Sequence, residues 1–252
     1  MLNGILMQNS RIINMLPVFQ MLQTTDEMYH GRVGYDSLSQ QILLELVVEE
    51  LVDDPPFAVD SGCFNDISTW KGVSCDEKGH VTNIDWSSKF DTFFPQGGVI
   101  KMEWLPSSLR VFDIYRNALR GSVDLSILPR DMQIIDLTEN QLTGSLNLRQ
   151  LPKLLEVLDL ACNTFSGWVD LTTLTSSLRV LDISHNKLTG RIKCTGMPPN
   201  MNYIRLQDNL FHGDLLLDDS ACHIQISLYE TSIGCVQHIN GSVDFYNRVI
   251  FG

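Results

Sequence analysis

The feature that most constrains this chain is a repeat. From Leu105 the residues read LPSSLRVFDIYRNALRGSVDLSI, then LPRDMQIIDLTENQLTGSLNLRQ, LPKLLEVLDLACNTFSGWVDLTT, LTSSLRVLDISHNKLTGRIKCTG and MPPNMNYIRLQDNLFHGDLLLDD, ending at Asp219. Five segments of 23 residues align without a gap. Self-similarity at such a period restricts the chain to stacked coils, each able to bury its apolar side only against its neighbours.

The positions within a segment carry the detail. The eighth is Phe112, Ile135, Leu158, Leu181 or Ile204, and the tenth is Ile114, Leu137, Leu160, Ile183 or Leu206. That period-2 pair reads as a short strand with one face buried. Positions five, fifteen and nineteen add further apolar side chains to the interior. The thirteenth is always Asn (Asn117, Asn140, Asn163, Asn186, Asn209), whose amide suits a chain turning inside the stack. The seventeenth is always Gly, from Gly121 to Gly213, which asks for positive φ or a close approach between coils. Pro106, Pro129, Pro152 and Pro198 bound the stretch after each Gly, leaving room for turns or short 3₁₀ pieces on the convex side. The expectation is an α/β-type solenoid, mostly β, with a parallel concave sheet and a helical N-terminal cap.

The ends follow the same pattern loosely. Val81, Ile84 and Trp86 occupy strand positions, and Gly98, Ile100 and Met102 later ones, so residues 77–104 read as an expanded coil ahead of the five regular ones. After Asp219 the apolar beat persists at Ile226, Leu228 and Ile233 while Asn and Gly lose register; residues 220–252 read as a degenerate coil and cap. Residues 37–52 suit an amphipathic helix with Ile42, Leu43, Leu46 and Val47 inward, stopped by Asp53-Asp54-Pro55-Pro56 and packed on the open end of the stack. The N-terminal cap is expected over 37–76, with residues 1–36 left unassigned.

Charge narrows the partners. The net charge is −12, and residues 1–104 hold 15 acids against 6 bases. Nonspecific nucleic-acid binding needs clustered cations and is excluded on this balance. No run of 18 apolar residues suggests a membrane span. The first residues lack the cationic start of a secretory signal; Arg11 without any acid before Asp26 admits an organelle-targeting reading. No P-loop, dinucleotide fingerprint, GxSxG or HExxH occurs, and no cofactor is called for.

These segments resemble the leucine-rich repeat, LxxLxLxxNxL. Residues 63–86 resemble the N-terminal cap of plant-type repeats through Trp70, Gly72, Val73 and Cys75. The G-x-V-D-L variant at Gly121–Leu125 and Gly167–Leu171, with LPxSL opening coils, is similar to repeat proteins of trypanosomatid protists. The resemblance implies a noncatalytic interaction module. It also implies cap disulfides among Cys63, Cys75, Cys222 and Cys235, as extracellular repeats place them. Cys194 and Cys162 inside the coils, and the missing signal peptide, point instead to a reducing compartment. The Asn240-Gly241-Ser242 acceptor suits a cell-surface or secreted recognition protein. Both compartments stay open.

The expected working surface is the concave sheet. Positions seven, nine and eleven point away from the core. Position seven gives Val111, Ile134, Val157, Val180 and Tyr203; position nine gives Asp113, Asp136, Asp159, Asp182 and then Arg205; Tyr115 adds position eleven. Four carboxylates about 5 Å apart make a negative stripe that suits a basic partner, and the apolar column beside it favours a protein. The plainer reading is that these aspartates are solvated strand residues. Cys222-His223 with Cys235 and His238 can be drawn as a zinc site or a Cys–His nucleophile, although the spacing fits no strong signature.

Overall fold

The computed structural model describes residues 38–51, 64–89, 93–239 and 249–250. The targeting stretch around Arg11, Asp53–Pro56, Cys63 and the Asn240 acceptor lie outside the described residues. Each coil opens with a three-residue strand, Val111–Asp113, Ile134–Asp136, Val157–Asp159, Val180–Asp182 and Tyr203–Arg205. These pair in parallel with position eight facing position eight throughout, as in Ile135 opposite Leu158. Val81–Asp85 extends the sheet at one end, where Val73–Cys75 closes it antiparallel; Gln225–Ser227 and Val249–Ile250 extend it at the other.

Inside the stack the position-five, -eight and -ten side chains of the five regular coils are essentially fully buried. One-residue slippage would turn them all to solvent, so the register is strongly specified.

The asparagines hold the turn after each strand. Asn163 Nδ2 donates to the carbonyls of Leu137 (2.9 Å), Leu160 (3.2 Å) and Ala161 (3.1 Å), and its Oδ1 accepts from Leu142 N–H at 3.0 Å. Asn140, Asn186 and Asn209 repeat the arrangement. The residue before each Asn pays for the turn in backbone strain: Arg116, Glu139, Cys162, His185 and Asp208 have φ between 49° and 59°.

A second, lateral sheet follows the turn, through Ser166–Trp168, Lys187–Gly190 and Leu210–Leu217. Here the glycine column finds its reason. A Cβ on Gly190 would sit 3.4 Å from Trp168 Cβ, and one on Gly213 only 3.3 Å from Arg191 Cγ, both at positive φ. Each glycine lies against the residue that follows the glycine of the coil before.

On the convex side, Leu125–Ile127, Leu148–Gln150 and Leu171–Thr173 are 3₁₀ turns. Asp124, Asn147 and Asp170 start them, each carboxylate or amide oxygen accepting from the N–H two residues on. This explains the G-x-V-D-L variant: its Asp is a cap. Lys193 cannot accept such a bond, and there the chain instead forms the strand Lys193–Cys194 against Leu216–Leu217.

The N-terminal helix is shorter than expected, Gln40–Val47, capped by the Ser39 hydroxyl. Its buried residues are Leu43, Leu44, Leu46 and Val47, so Leu44 takes the place expected for Ile42. The helix ends because an open strand edge captures the chain: Val47 C=O accepts from Lys101 N–H, and Glu50–Leu51 pairs antiparallel with Gly98–Val99. Lys101 holds Glu49 and Glu50 at 3.1 and 3.0 Å. Two glutamines finish the end of the stack. Gln40 accepts from Val81 N–H at 2.6 Å, and Gln41 from Ile67 N–H at 2.8 Å. Trp70 and Trp86 are buried beside Phe94 and Phe112. Gly72 is obligatory, since a Cβ there would lie 2.0 Å from Asp85 O.

Among the described residues no helix is long and apolar enough to cross a membrane.

Candidate functional site on the concave sheet

The outward row begins one coil earlier than the sequence suggests. Ile84 pairs with Phe112, which puts Asp85 in register with Asp113, Asp136, Asp159, Asp182 and Arg205. Asp85 is legible once Ile84 and Trp86 are taken as positions eight and ten.

The row is not a free acidic stripe. Each carboxylate accepts from the N–H two residues on: Ser87 for Asp85, Tyr115 for Asp113, Thr138 for Asp136, Ala161 for Asp159 and Ser184 for Asp182. The aspartates therefore help close the strand exits, which supports the plainer reading of their recurrence. Cations then pair with the carboxylates on either side of Asp159. Lys89 Nζ lies 2.6 Å from Asp113 and 4.0 Å from Asp136, and 5.5 Å from the Tyr115 ring centroid. Arg205 Nη1 lies 3.1 Å from Asp182, whose side chain is 7% exposed. Lys89 comes from the expanded coil, outside the repeat period, so no alignment of coils brings it to the row.

Asp159 is left in the middle. It accepts from Thr138 Oγ1 at 2.7 Å and forms no ion pair among the described residues. Burial, with the Asp182 carboxylate beside it, raises its pKa to about 6. Asp159 and the exposed Asp85 are thus the carboxylates of the row without an ion pair among the described residues, and only Asp159 bears a marked desolvation cost.

The apolar column stands where the spacing places it. Ile134 is 37% and Tyr203 42% exposed, with Val111, Val157 and Val180 half-buried between and beside them. Tyr115 turns its hydroxyl to Glu139 at 2.7 Å. Beyond the row, position twelve adds an exposed charged edge, with His185 Nδ1 2.9 Å from Asp208 and Arg116 Nε 3.6 Å from Glu139.

The cysteine expectations need correction. Cys75, Cys222 and Cys235 are free thiols, so Cys222 and Cys235 do not bridge. Cys235 lies against Asp214 at 3.0 Å, and His238 against Asp219 at 3.2 Å. These contacts draw the C-terminal Cys and His residues to separate acids. Among the described residues no group of three or more His, Cys, Asp or Glu can hold a metal ion. Burial pushes the Cys194 thiol up to about 12, as suits a small core side chain.

Comparison with known proteins agrees with this geometry. Residues 177–196 match the Leucine Rich Repeat family model. The PEPR1–AtPEP1 structure superposes with a TM-score of 0.62 at 18% identity, covering 84% of this chain and 34% of that one. Pollen Receptor Kinase 3 gives 0.57 at 16% identity, covering 81% and 100%. The HAESA ectodomain of Arabidopsis, solved with an IDA peptide hormone, gives 0.55 at 20% identity, covering 79% and 40%. No curated protein matches the sequence, and nothing in these comparisons supports the trypanosomatid resemblance. Coils in register, the asparagine ladder and the parallel concave sheet, together with these likenesses, make the fold a leucine-rich-repeat solenoid.

Proposed function

We propose that this chain is a noncatalytic protein-interaction module that receives its partner on the concave sheet. The observation that carries the reading is the apolar column Val111–Ile134–Val157–Val180–Tyr203 standing beside an acidic row. Exposed apolar surface rimmed by charge is how a protein site differs from ordinary surface. The HAESA ectodomain, a solenoid of similar fold, was solved holding a peptide hormone. With Lys89 and Arg205 paired on either side of it, Asp159 and the free side of Asp136 are where a partner's Lys or Arg would gain most. A basic segment with apolar residues is the matching chemistry.

The test uses a panel of synthetic 12-residue peptides, basic-apolar against acidic-apolar, titrated onto the full chain. Ile134→Ser with Tyr203→Ser removes the apolar column, and Asp159→Asn removes the charge while keeping an acceptor for Thr138 and Ala161. Binding of the basic peptides, weakened at least tenfold by each change, is expected. Equal binding of both peptide classes, or unaltered affinity in both variants, refutes the assignment.

A further inference from the structure

The lateral sheet carries a second surface, opposite in character to the concave row. Its two most exposed apolar side chains are Trp168, 67% exposed, and Leu210, 61% exposed. They are not scattered. Trp168 pairs in register with Thr189, and Thr189 with Leu210, so both flank one residue on the outer face. Two strand spacings put them about 10 Å apart.

The setting of Trp168 follows from the glycine column. Its Cβ sits opposite Gly190, and the Arg191 stem lies across Gly213. The equivalent residues of the two coils before are Ser122 and Ser145, which present nothing large. On its other side Trp168 walls an open cleft of about 190 Å³, lined also by Ser145, Leu146, Arg149, Gly167 and Asp170. A large aromatic beside a recess is the form of a binding anchor.

The charge of this face is positive although the chain is at −12. Lys187, on the strand that carries Thr189, and Arg191, just past its end, are exposed two residues to either side, and Lys193 continues the line. None of the three forms a salt bridge among the described residues. The neighbouring acids are already engaged: Asp170 by Arg149 at 2.9 Å and by Thr172, and Asp214 by Gln237 at 2.6 Å and by Cys235. Three cations without a salt bridge against one carboxylate held only by neutral donors leave the face complementary to an anion-bearing partner.

We infer that the Trp168–Thr189–Leu210 row is a docking surface for an acidic protein segment. An apolar side chain of that segment seats between Trp168 and Leu210, and its carboxylates meet Lys187, Arg191 and Lys193. This surface is independent of the concave sheet, so the protein joins two partners of opposite charge.

The experiment titrates acidic 12-residue peptides with a central Leu or Phe, and their Lys-substituted counterparts, onto the full chain by calorimetry and tryptophan fluorescence. Trp70 and Trp86 are buried and Trp104 is half-buried in the first coil, so the part of the emission change that disappears in Trp168→Ser is the part that reports on this face. Trp168→Ser and Leu210→Thr borrow the residues of neighbouring coils, and unchanged urea midpoints establish that both variants fold. The acidic peptides are expected to bind, to weaken at least tenfold in each variant and in Arg191→Ser, and to bind equally well to Asp159→Asn. Absence of acidic-peptide binding, equal binding of the basic peptides, or affinity that survives Trp168→Ser overturns the inference. So does concentration-dependent dimerisation abolished by Trp168→Ser, which would assign the face to a second copy.

Discussion

The asparagine ladder permits a prediction in which most unknowns cancel. Replace Asn140 and Asn163 separately by Ala. In each case the carbonyls that lose an amide donor keep another. Leu137 O is shared by Asn140 (3.0 Å) and Asn163 (2.9 Å), Leu160 O by Asn163 and Asn186, Ala161 O by Asn163 and Glu139 N–H, and Thr138 O by Asn140 and Arg116 N–H. The donors differ. Asn163 Oδ1 accepts one buried N–H, from Leu142. Asn140 Oδ1 accepts two, from Asn117 at 3.1 Å and Leu119 at 3.0 Å. Asn117 N–H depends on Asn140, so the Asn140 variant strands two donors.

An orphaned buried donor costs about 1–3 kcal/mol, and each lost amide bond about 1 kcal/mol net. With three amide bonds lost and one donor orphaned, Asn163→Ala should therefore cost about 4–6 kcal/mol, and Asn140→Ala about 1–3 kcal/mol more. The small void left by the side chain is common to both and drops out of the difference. Urea unfolding followed by circular dichroism measures it, with the m-values compared because repeat arrays can lose cooperativity. Hydrogen exchange should localise the effect to the Asn117 and Leu119 amides in one variant and Leu142 in the other. Costs equal within 0.5 kcal/mol, or in the reverse order, refute the donor count as the governing quantity.

Three further outcomes are expected. Asp159, titrating near 6 when folded and near 4 when unfolded, gives the folded state the extra proton between those values, so stability falls as pH rises through that window by about 2–3 kcal/mol. Asp159→Asn should flatten this slope and leave the protein more stable at pH 7, which melting curves from pH 4 to 7 would detect. Cys162→Gly relieves a left-handed residue at φ 55° and, after the entropy of a freer unfolded chain, should raise stability by up to about 1 kcal/mol in urea unfolding, whereas Thr164→Gly should lower it. Alkylation at pH 8 followed by mass spectrometry should label Cys222 and Cys235 in native protein and spare buried Cys194 until denaturant is added.

Much of the fold is legible because one rule is written five times. Phe112, Ile135, Leu158, Leu181 and Ile204 cannot all be buried except by stacking in register, so a single coil's pattern dictates the whole sheet. What escapes is what does not repeat. Lys89 belongs to the expanded coil, and its reach to Asp113 follows from tertiary packing alone. The early end of the helix at Val47 depends on an open edge at Gly98–Val99, far along the chain. Local periodicity carries no trace of either.

The candidate site shows a different limit. A recurring aspartate reads equally as a partner's landing point and as a turn closure, and in the structure every aspartate of the row closes a turn. Asp113 and Asp136 share Lys89 and Asp182 holds Arg205, whereas Asp159 has its N–H and Thr138, and Asp85 its N–H and the Ser87 hydroxyl, with no ion pair among the described residues. A solenoid must put some outward residue at every coil, so mere repetition of a residue is weak evidence for binding. The departures are more informative. Arg205 ends a row of aspartates, Trp168 follows two serines in its column, and Lys193 stands where three earlier coils carry a 3₁₀ cap. All three departures lie in the last three coils, between Trp168 and Arg205. Function in this molecule is therefore expected to concentrate at its C-terminal half, on two faces built by different strands of the same coils.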